Sequence, residues 1–208
     1  MTPQEQLSAG LAELGLNLDA GTQASLLAYA ALIAKWNKVY NLTAIRDTAG
    51  IVSQHLLDSL TVLPHVTVDR IADIGSGAGL PGIVLAIVRP DLEVHTVDTV
   101  QKKAMFMRQA GIELGLKNLH AHHVRVEEWQ PEAPFPAVIS RAFSELCDFV
   151  TLTEHLLAPG GRWLAMKGVY PREEIARLPA GVREAESIPL HLPAAADTQR
   201  HLIVLERS

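Results

Sequence analysis

The residues with the clearest chemical potential are Asp73, Gly75, Gly77 and Gly79, in the run Asp73-Ile74-Gly75-Ser76-Gly77-Ala78-Gly79, and Asp98, 19 residues past Gly79. Glycines spaced this way permit positive φ and let a ligand approach the backbone closely. The free N–H groups of a helix start just beyond them favour polar or anionic ligand groups. A dinucleotide loop needs glycine at its first, third and sixth positions, whereas Leu80 holds the sixth position here. Asp73 also stands two residues before the first glycine, where it suits an ammonium and would repel a pyrophosphate. Asp98, at the tip of the following strand, can accept both hydroxyls of a ribose. Other uses of such a loop fit worse. There is no Gly-x-x-x-x-Gly-Lys-Ser/Thr phosphate loop, and Ile74 breaks the Gly-x-Ser-x-Gly frame that a hydrolase would need around Ser76.

Other reactive side chains are scattered. Arg141 carries a planar fork that matches a carboxylate or phosphate, so it reads either as a ligand-positioning group or as one half of an ion pair. His55 and Asp58 are three apart on a predicted helix, spaced for a local hydrogen bond or for closing a pocket. His120, His122 and His123 share one predicted strand, and without a carboxylate at ligand spacing they define no metal site. Trp36, Lys38, Tyr40 and Asn41 suit either helix-end packing or a nucleic-acid-facing edge. Cys147 is the single cysteine, which excludes an internal disulfide and a multi-cysteine zinc site; it reads as a buried structural thiol.

The elements that must position these groups follow from apolar periodicity. Helical spacing covers Thr22–Lys38 and Thr48–Leu63, with Pro64 as a stop. From Arg70 onwards short apolar runs alternate with helical ones. Strands are predicted over 71–74, 93–98, 119–124, 137–140, 163–167 and 201–205, with a weak one near Ile188 and Leu190. Helices are predicted over 81–88, 101–114 and 143–157. Pro-rich and Ala-rich loops fall at 131–136 and 193–197, and Pro159-Gly160-Gly161 reads as a turn. The alternation implies an α/β fold, with a mostly parallel sheet covered by helices on both faces. Ligands in such sheets bind at the carboxyl ends of the strands, where Asp73, Asp98, Ser140 and Lys167 are expected.

The chain has 208 residues, 48% of them hydrophobic, enough for one substantial core. No apolar run approaches the roughly 20 residues needed to cross a bilayer, and Met1–Leu14 does not have the pattern of a signal peptide. A cytoplasmic protein is expected. The formal net charge of −5 argues against gripping naked nucleic acid by charge alone.

The glycine loop, with its preceding acid, resembles the S-adenosyl-L-methionine loop of class I methyltransferases. The longer run from Asp73 through Leu80-Pro81-Gly82 is similar to that of the bacterial small-subunit rRNA (guanine-N7) methyltransferases, the glucose-inhibited division protein B family. Four more stretches agree in order: Trp36-Asn37-Lys38-Val39-Tyr40-Asn41-Leu42-Thr43, His55-Leu56-Leu57-Asp58-Ser59, Arg125-Val126-Glu127 and Ser140-Arg141-Ala142. Lys102-Lys103 and Lys167-Gly168 fit as well. Beyond Gly168 little is diagnostic. Leu80 stands where the family often has Phe.

The resemblance implies a Rossmann-like, seven-stranded methyltransferase domain over residues 66–208, preceded by an N-terminal helical extension over 1–65. It implies methyl transfer from S-adenosyl-L-methionine, leaving S-adenosyl-L-homocysteine, to N7 of one guanine in 16S rRNA. Cofactor contacts then fall at Asp73, Gly75, Gly77, Gly79, Leu80, Asp98, Val126, Glu127 and Arg141. RNA contacts are expected at Lys38, Asn41, Lys102, Lys103 and Lys167. The partner is 16S rRNA in the small subunit or an assembly intermediate, and the enzyme is expected to act as a monomer without a metal.

The residues present suit that chemistry. Guanine N7 already carries a nucleophilic lone pair, so positioning supplies much of the rate, and a less polar setting helps a sulfonium lose its charge. Carbon-5 pyrimidine methylation needs a nucleophilic cysteine near a strand tip, and Cys147 falls in a predicted helix. The Asn/Asp-Pro-Pro-aromatic turn of amine methylation and the tip Asp of ribose methylation are replaced by Ser140-Arg141-Ala142-Phe143. Arg141 is assigned to the cofactor carboxylate, because a bidentate grip on guanine O6 and N7 would cover the atom to be methylated. A small-molecule methyltransferase and a non-catalytic RNA-binding assembly factor are the alternative functions.

Overall fold

The computed structural model describes residues 1–141, 143–193, 195 and 198–208. Ala142 of the Ser-Arg-Ala motif, and Ala194, Ala196 and Asp197 of the predicted 193–197 loop, lie outside them.

The chain opens with α1 (Pro3–Glu13), in a stretch whose local signal is a capping box: Thr2 Oγ1 accepts from Glu5 N, and Thr2 N donates to Glu5 Oε2. Helix α2 (Ala20–Tyr40) starts on Asp19, whose carboxylate accepts from Thr22 N. It ends at Asn41 in the left-handed region, φ 49°. The predicted helix over 48–63 is not uniform. It is α3 (Thr48–Ile51), then a π-helical segment over Val52–Leu57, then α4 (Asp58–Leu60). Gly10 of α1 packs on this segment, since a Cβ there would stand 2.4 Å from a Leu57 methyl.

The alternating part contains β1 (Arg70–Ile74), α5 (Gly82–Val88), β2 (Glu93–Asp98), α6 (Gln101–Glu113), β3 (Leu119–His123), β4 (Phe135–Ser140), α7 (Leu146–Thr153), β5 (Leu157–Lys167), α8 (Arg172–Ile175), β6 (Val182–Pro189) and β7 (His201–Arg207). They build a seven-stranded sheet in the order β3-β2-β1-β4-β5-β7-β6. Strands β1 to β5 pair in parallel, and β7 runs antiparallel to both β5 and β6. Strand order reverses between β1 and β4, so ligands are expected beyond their carboxyl ends.

Several boundaries differ from the periodicity reading; among them, the weak strand expected near Ile188 and Leu190 is β6 (Val182–Pro189), which ends before Leu190. Strand β4 begins at Phe135, inside the predicted 131–136 loop, and its Pro136 sits beside a register shift between Phe135 and Ala137. Proline is tolerated at such a bulge because no ladder N–H is required of it. Pro159-Gly160-Gly161 is not a free turn but the bulged early part of β5, with Gly160 at φ 72°. Helix α7 is shorter than predicted, because Glu174 accepts the Leu146 N–H and fixes its start there. Cys147 follows in the first turn and is only half-buried.

Strand residues alternate between the two faces. Ala72 and Ile74 of β1 pack with Phe149, Trp163 and Leu205 on the α7 side, while Ile71 packs with Leu85, Ile139 and Val204 on the α5 side. The N-terminal helices are not peripheral. Leu7, Leu26, Tyr29, Ile33 and Leu56 share one buried cluster with Ile83 and Val84 of α5 and Phe106 and Met107 of α6. No helix among the described residues is long and apolar enough to cross a membrane.

One buried bond joins this bundle to the glycine loop. The Tyr29 hydroxyl, fully buried, donates to Ala78 O at 2.5 Å. Removing a donor from a buried pair costs about 1–3 kcal/mol. Tyr29→Phe is therefore expected to lower urea-denaturation stability by about that much, and an unchanged midpoint and slope would show that the bond contributes nothing net.

Candidate functional site

The glycine run forms the turn between β1 and α5. Gly75, Gly77 and Gly79 have φ of 69°, 60° and 88°, a region side-chain-bearing residues adopt only under strain. Backbone groups then lock the loop. Gly75 N and Ser76 N both donate to Val97 O, at 2.9 and 3.1 Å, and Gly79 N and Leu80 N donate to Ser76 O. The Asp98 carboxylate ties the loop to the tip of β2: Oδ2 accepts from Gly77 N at 2.9 Å and Oδ1 from Val100 N at 2.8 Å.

Asp73 lies beneath the loop. It is fully buried, and its Oδ2 accepts from Gly82 N at 2.8 Å. A Cβ at position 82 would come within 2.8 Å of that oxygen, so the contact requires glycine there. Its other oxygen is buried without a hydrogen-bond partner among the described residues. Burial pushes the Asp73 carboxyl up to about 7, against the opposing effect of the Gly82 N–H.

A cleft of about 380 Å³ opens beside the loop, lined by Gly75, Val97, Asp98, Val100, Lys103, Val124, Val126, Phe143 and Ser144 among others. The expected cofactor residues divide around it. Gly75, Asp98 and Val126 line the cleft, while Leu80, 2% exposed, packs into the helical core beneath the loop. Glu127 follows Val126 but does not itself line the cleft; it is paired with Arg125. Of the expected RNA contacts, Lys38, Asn41 and Lys102 are exposed, and Lys103 belongs to the cleft. Lys167 is largely enclosed: its Nζ donates to Phe143 O, Ser144 O and Glu174 Oε2 at 3.1, 3.0 and 2.8 Å.

Arg141, just past the end of β4, faces a second cavity of about 380 Å³, lined by Gln54, His55, Asp58, Lys167, Arg200 and His201 among others. Its Nη1 is 3.2 Å from Asp58 Oδ2, and both terminal nitrogens stand 3.3 Å from His55 Nδ1. Asp58 is held from the other side by Arg200, whose Nε is 2.9 Å from Oδ1. The Asp58 side chain is 4% exposed and those of Arg141 and Arg200 25% and 30%. His55 is pushed down to about 4 by burial and by Arg141, so it is neutral near pH 7. Its Nδ1 also stands 3.1 Å from Gln54 O, and its Nε2 is hydrogen-bonded to Thr43 Oγ1 at 2.7 Å. Ser140 Oγ donates to Ile74 O at 2.8 Å, linking the tips of β4 and β1 between the two cavities.

Three residues escaped the sequence reading. Tyr29 was one of many helical apolar positions. Asn37 donates to Ile45 O and accepts from Thr43 N, which shapes the loop beside His55; only its place in a family-like stretch pointed to it. Arg200 lies in the region with no diagnostic motif and carried no signal.

The buried Asp73 generates a pH prediction. With a folded pKa of about 7 against an ordinary 3.8, the folded state binds a proton in that window that the unfolded state does not. Wild type is therefore expected to gain stability relative to Asp73→Asn as pH falls from 8 towards 5. The neutral His55 and His122, both pushed down to about 4, act in the opposite sense in both proteins and cancel in the difference. A stability difference between the two proteins that is flat across this range in urea titrations would refute the shift.

The comparisons with known proteins agree on fold and family. Two solved structures share the fold. TrmN from Thermus thermophilus aligns with a TM-score of 0.60 at 18% identity, over 83% of this chain and 53% of that one. A methyltransferase from Thiobacillus denitrificans, in complex with S-adenosyl-L-homocysteine, aligns with a TM-score of 0.53 at 13% identity, over 73% and 91%. The ribosomal RNA small subunit methyltransferase G of Aromatoleum aromaticum is 61% identical over 207 residues, covering 97% of this chain and 98% of its own. The GidB family model, described as rRNA small subunit methyltransferase G, matches residues 22–203. The chain thus belongs to the GidB family of small-subunit rRNA methyltransferases.

Proposed function

We propose that this chain transfers a methyl group from S-adenosyl-L-methionine to N7 of a specific guanine in 16S rRNA. The observation that carries the reading is the family match across residues 22–203, which spans both the glycine loop and the Arg141 cavity. S-adenosyl-L-methionine supplies an activated methyl on a sulfonium and leaves as S-adenosyl-L-homocysteine.

The cleft suits this cofactor. The Asp98 carboxylate, oriented by the Gly77 and Val100 N–H groups, would accept the ribose hydroxyls. Val100 and Val126 offer apolar walls to the base. Asp73, with one buried oxygen unpartnered, would take up its negative charge once a ligand ammonium near the loop offsets the burial that raises its carboxyl. A Cβ at Gly77 would meet open space, which leaves that side of the loop open to a ligand while its N–H stays on Asp98. Glu127, next to Val126 of the cleft wall, would be a further polar contact of the same ligand.

The second cavity, at the tips of β4 and β5, would receive the acceptor nucleotide. Its cations Arg141 and Arg200 suit phosphate-bearing RNA. Because N7 needs no proton removed, the protein's task is orientation. A neutral His55 fits that task better than a cation would beside an atom that becomes positive on methylation. Arg141, engaged by Asp58, is assigned to positioning of the acceptor rather than to the cofactor carboxylate. Residues 1–65 serve as a helical brace for the catalytic domain, and Lys38, Asn41 and Lys102 as an outer RNA-facing rim. The enzyme acts as a monomer in the cytoplasm, on the small subunit or an assembly intermediate, where contacts beyond its own acidic surface can aid docking.

The test is methyl transfer to small ribosomal subunits from a strain lacking this gene, read by mass analysis of 16S rRNA digests. 7-Methylguanine appearing only with the enzyme is expected; transfer to metabolites alone, or no transfer, would overturn the reading. Asp98→Ala removes hydrogen bonds to a charged acceptor worth about 1.5–3 kcal/mol. Calorimetric affinity for S-adenosyl-L-methionine should then fall by roughly 10–100-fold, and normal binding would relocate the cofactor. Arg141→Ala should keep the fold and cofactor binding while losing most transfer to RNA. Full activity would leave Arg141 only a partner for Asp58.

A further inference from the structure

A cluster of side chains outside both cavities plays no part in this function. On sequence spacing alone, the histidines of β3 had no carboxylate near them. The parallel register changes that, because His95 of β2 lies opposite His120, and Val97 opposite His122. Alternation along the strands puts Glu93, His95, His120 and His122 on one face. The His95 ring lies 4.7 Å from that of His120 and 5.2 Å from that of His122, centre to centre. Its Nε2 is 2.6 Å from Glu93 Oε1, and its Nδ1 is 3.0 Å from His122 Nε2. Glu93, His95 and His120 can each offer one ligand atom, all within 4.8 Å of one another. His123 lies apart, with Nε2 3.1 Å from Thr99 O.

We propose that Glu93, His95 and His120 form a site for a divalent transition cation of the zinc class, with His122 orienting His95. Two imidazoles and a carboxylate, with a remaining position for water, are a known zinc donor set. Imidazole nitrogen selects such cations over magnesium and calcium. Without metal, His95 donates its Nε2–H to Glu93 and accepts from His122. On binding, the cation takes the place of that Nε2 proton, which leaves to solvent. His95 Nδ1 takes over the proton that His122 Nε2 had donated to it and donates back to that nitrogen, while His122 takes up a proton from solvent at Nδ1. A ligating histidine commonly requires such an acceptor for its second nitrogen.

Two features bear on occupancy. Ligand atoms around tetrahedral zinc stand roughly 3.3 Å apart, so the set must contract, and the exposed His120 ring is free to turn inwards. Arg70 is the competing charge, with Nε 3.3 Å from Glu93 Oε1. Its Nη1 donates to Ala133 O and Pro134 O, and its guanidinium lies over the Phe135 ring. Arg70 is therefore anchored without Glu93 and can yield that oxygen. A bound cation would clamp the edge strand β3 to β2, the strand that ends in Asp98.

The test uses the full chain, free of any histidine tag and stripped with a chelator, titrated calorimetrically with zinc chloride. Cobalt(II) serves as a coloured probe of the same site. One zinc per chain is expected, with affinity at least tenfold weaker in His120→Ala and Glu93→Gln and unchanged in His123→Ala. The visible bands of cobalt(II) should disappear in His120→Ala. Circular dichroism verifies that these surface variants fold. No zinc binding by wild type, or equal binding after His120→Ala, overturns the site.

Discussion

The Asp98 carboxylate is the constraint on which the functional end of the molecule depends. One oxygen holds the Gly77 N–H and the other the Val100 N–H, so a single side chain joins the glycine loop to the turn that opens α6. The loop cannot be stable on its own account. Three positive-φ glycines lose more conformational freedom on folding than other residues would, and its tight turn leaves few backbone groups able to pair locally. The ordering cost is met by neighbours: Val97 O for two N–H groups, Asp98 for a third, and Tyr29 for the Ala78 carbonyl. The same carboxylate that completes the loop lines the cleft, so architecture and ligand recognition share one group.

That arrangement explains the close packing of the N-terminal helices. Their apolar residues merge with those of α5 and α6 in one buried cluster, and Leu80 enters it directly from the loop. Burial of this kind is non-directional and sets the position of the helices only loosely. The Tyr29 hydrogen bond adds direction, fixing α2 against Ala78 at a defined distance. Asp73 does the same on the other side, where its carboxylate captures the first N–H of α5 at the expense of being held in a fully buried position.

The second cavity is governed by charge rather than by packing. Asp58 lies between two arginines, one just past β4 and one just before β7, and is nearly inaccessible to water. A buried carboxylate of this kind is costly without partners, and loss of either one would leave the other charges poorly compensated. The π-helical segment that carries His55 immediately precedes Asp58. Such segments are frequent at functional sites, where they interrupt regular helix geometry to redirect side chains. The result is a rigid polar wall with an uncharged imidazole and two preset guanidinium groups.

Local chemistry in the sequence determined the alternating strands and helices, the glycine loop and the acid at the tip of β2. Each depends on residues within one element or its immediate neighbour: apolar period, glycine spacing, proline stops. Family-like stretches added Arg141, His55 and Asp58 as residues of interest. Only the tertiary structure decided how they meet. Arg200 is 142 residues from Asp58 in sequence, and Tyr29 is 49 from Ala78, separations at which no periodicity carries information. The bulge in β5 and the short α7 were likewise set by partners, the neighbouring strand and Glu174. The carboxylate beside the β3 histidines comes from the preceding strand, placed there by parallel register. Strand pairing is a relation between two segments, and neither segment alone encodes which residue lies opposite which.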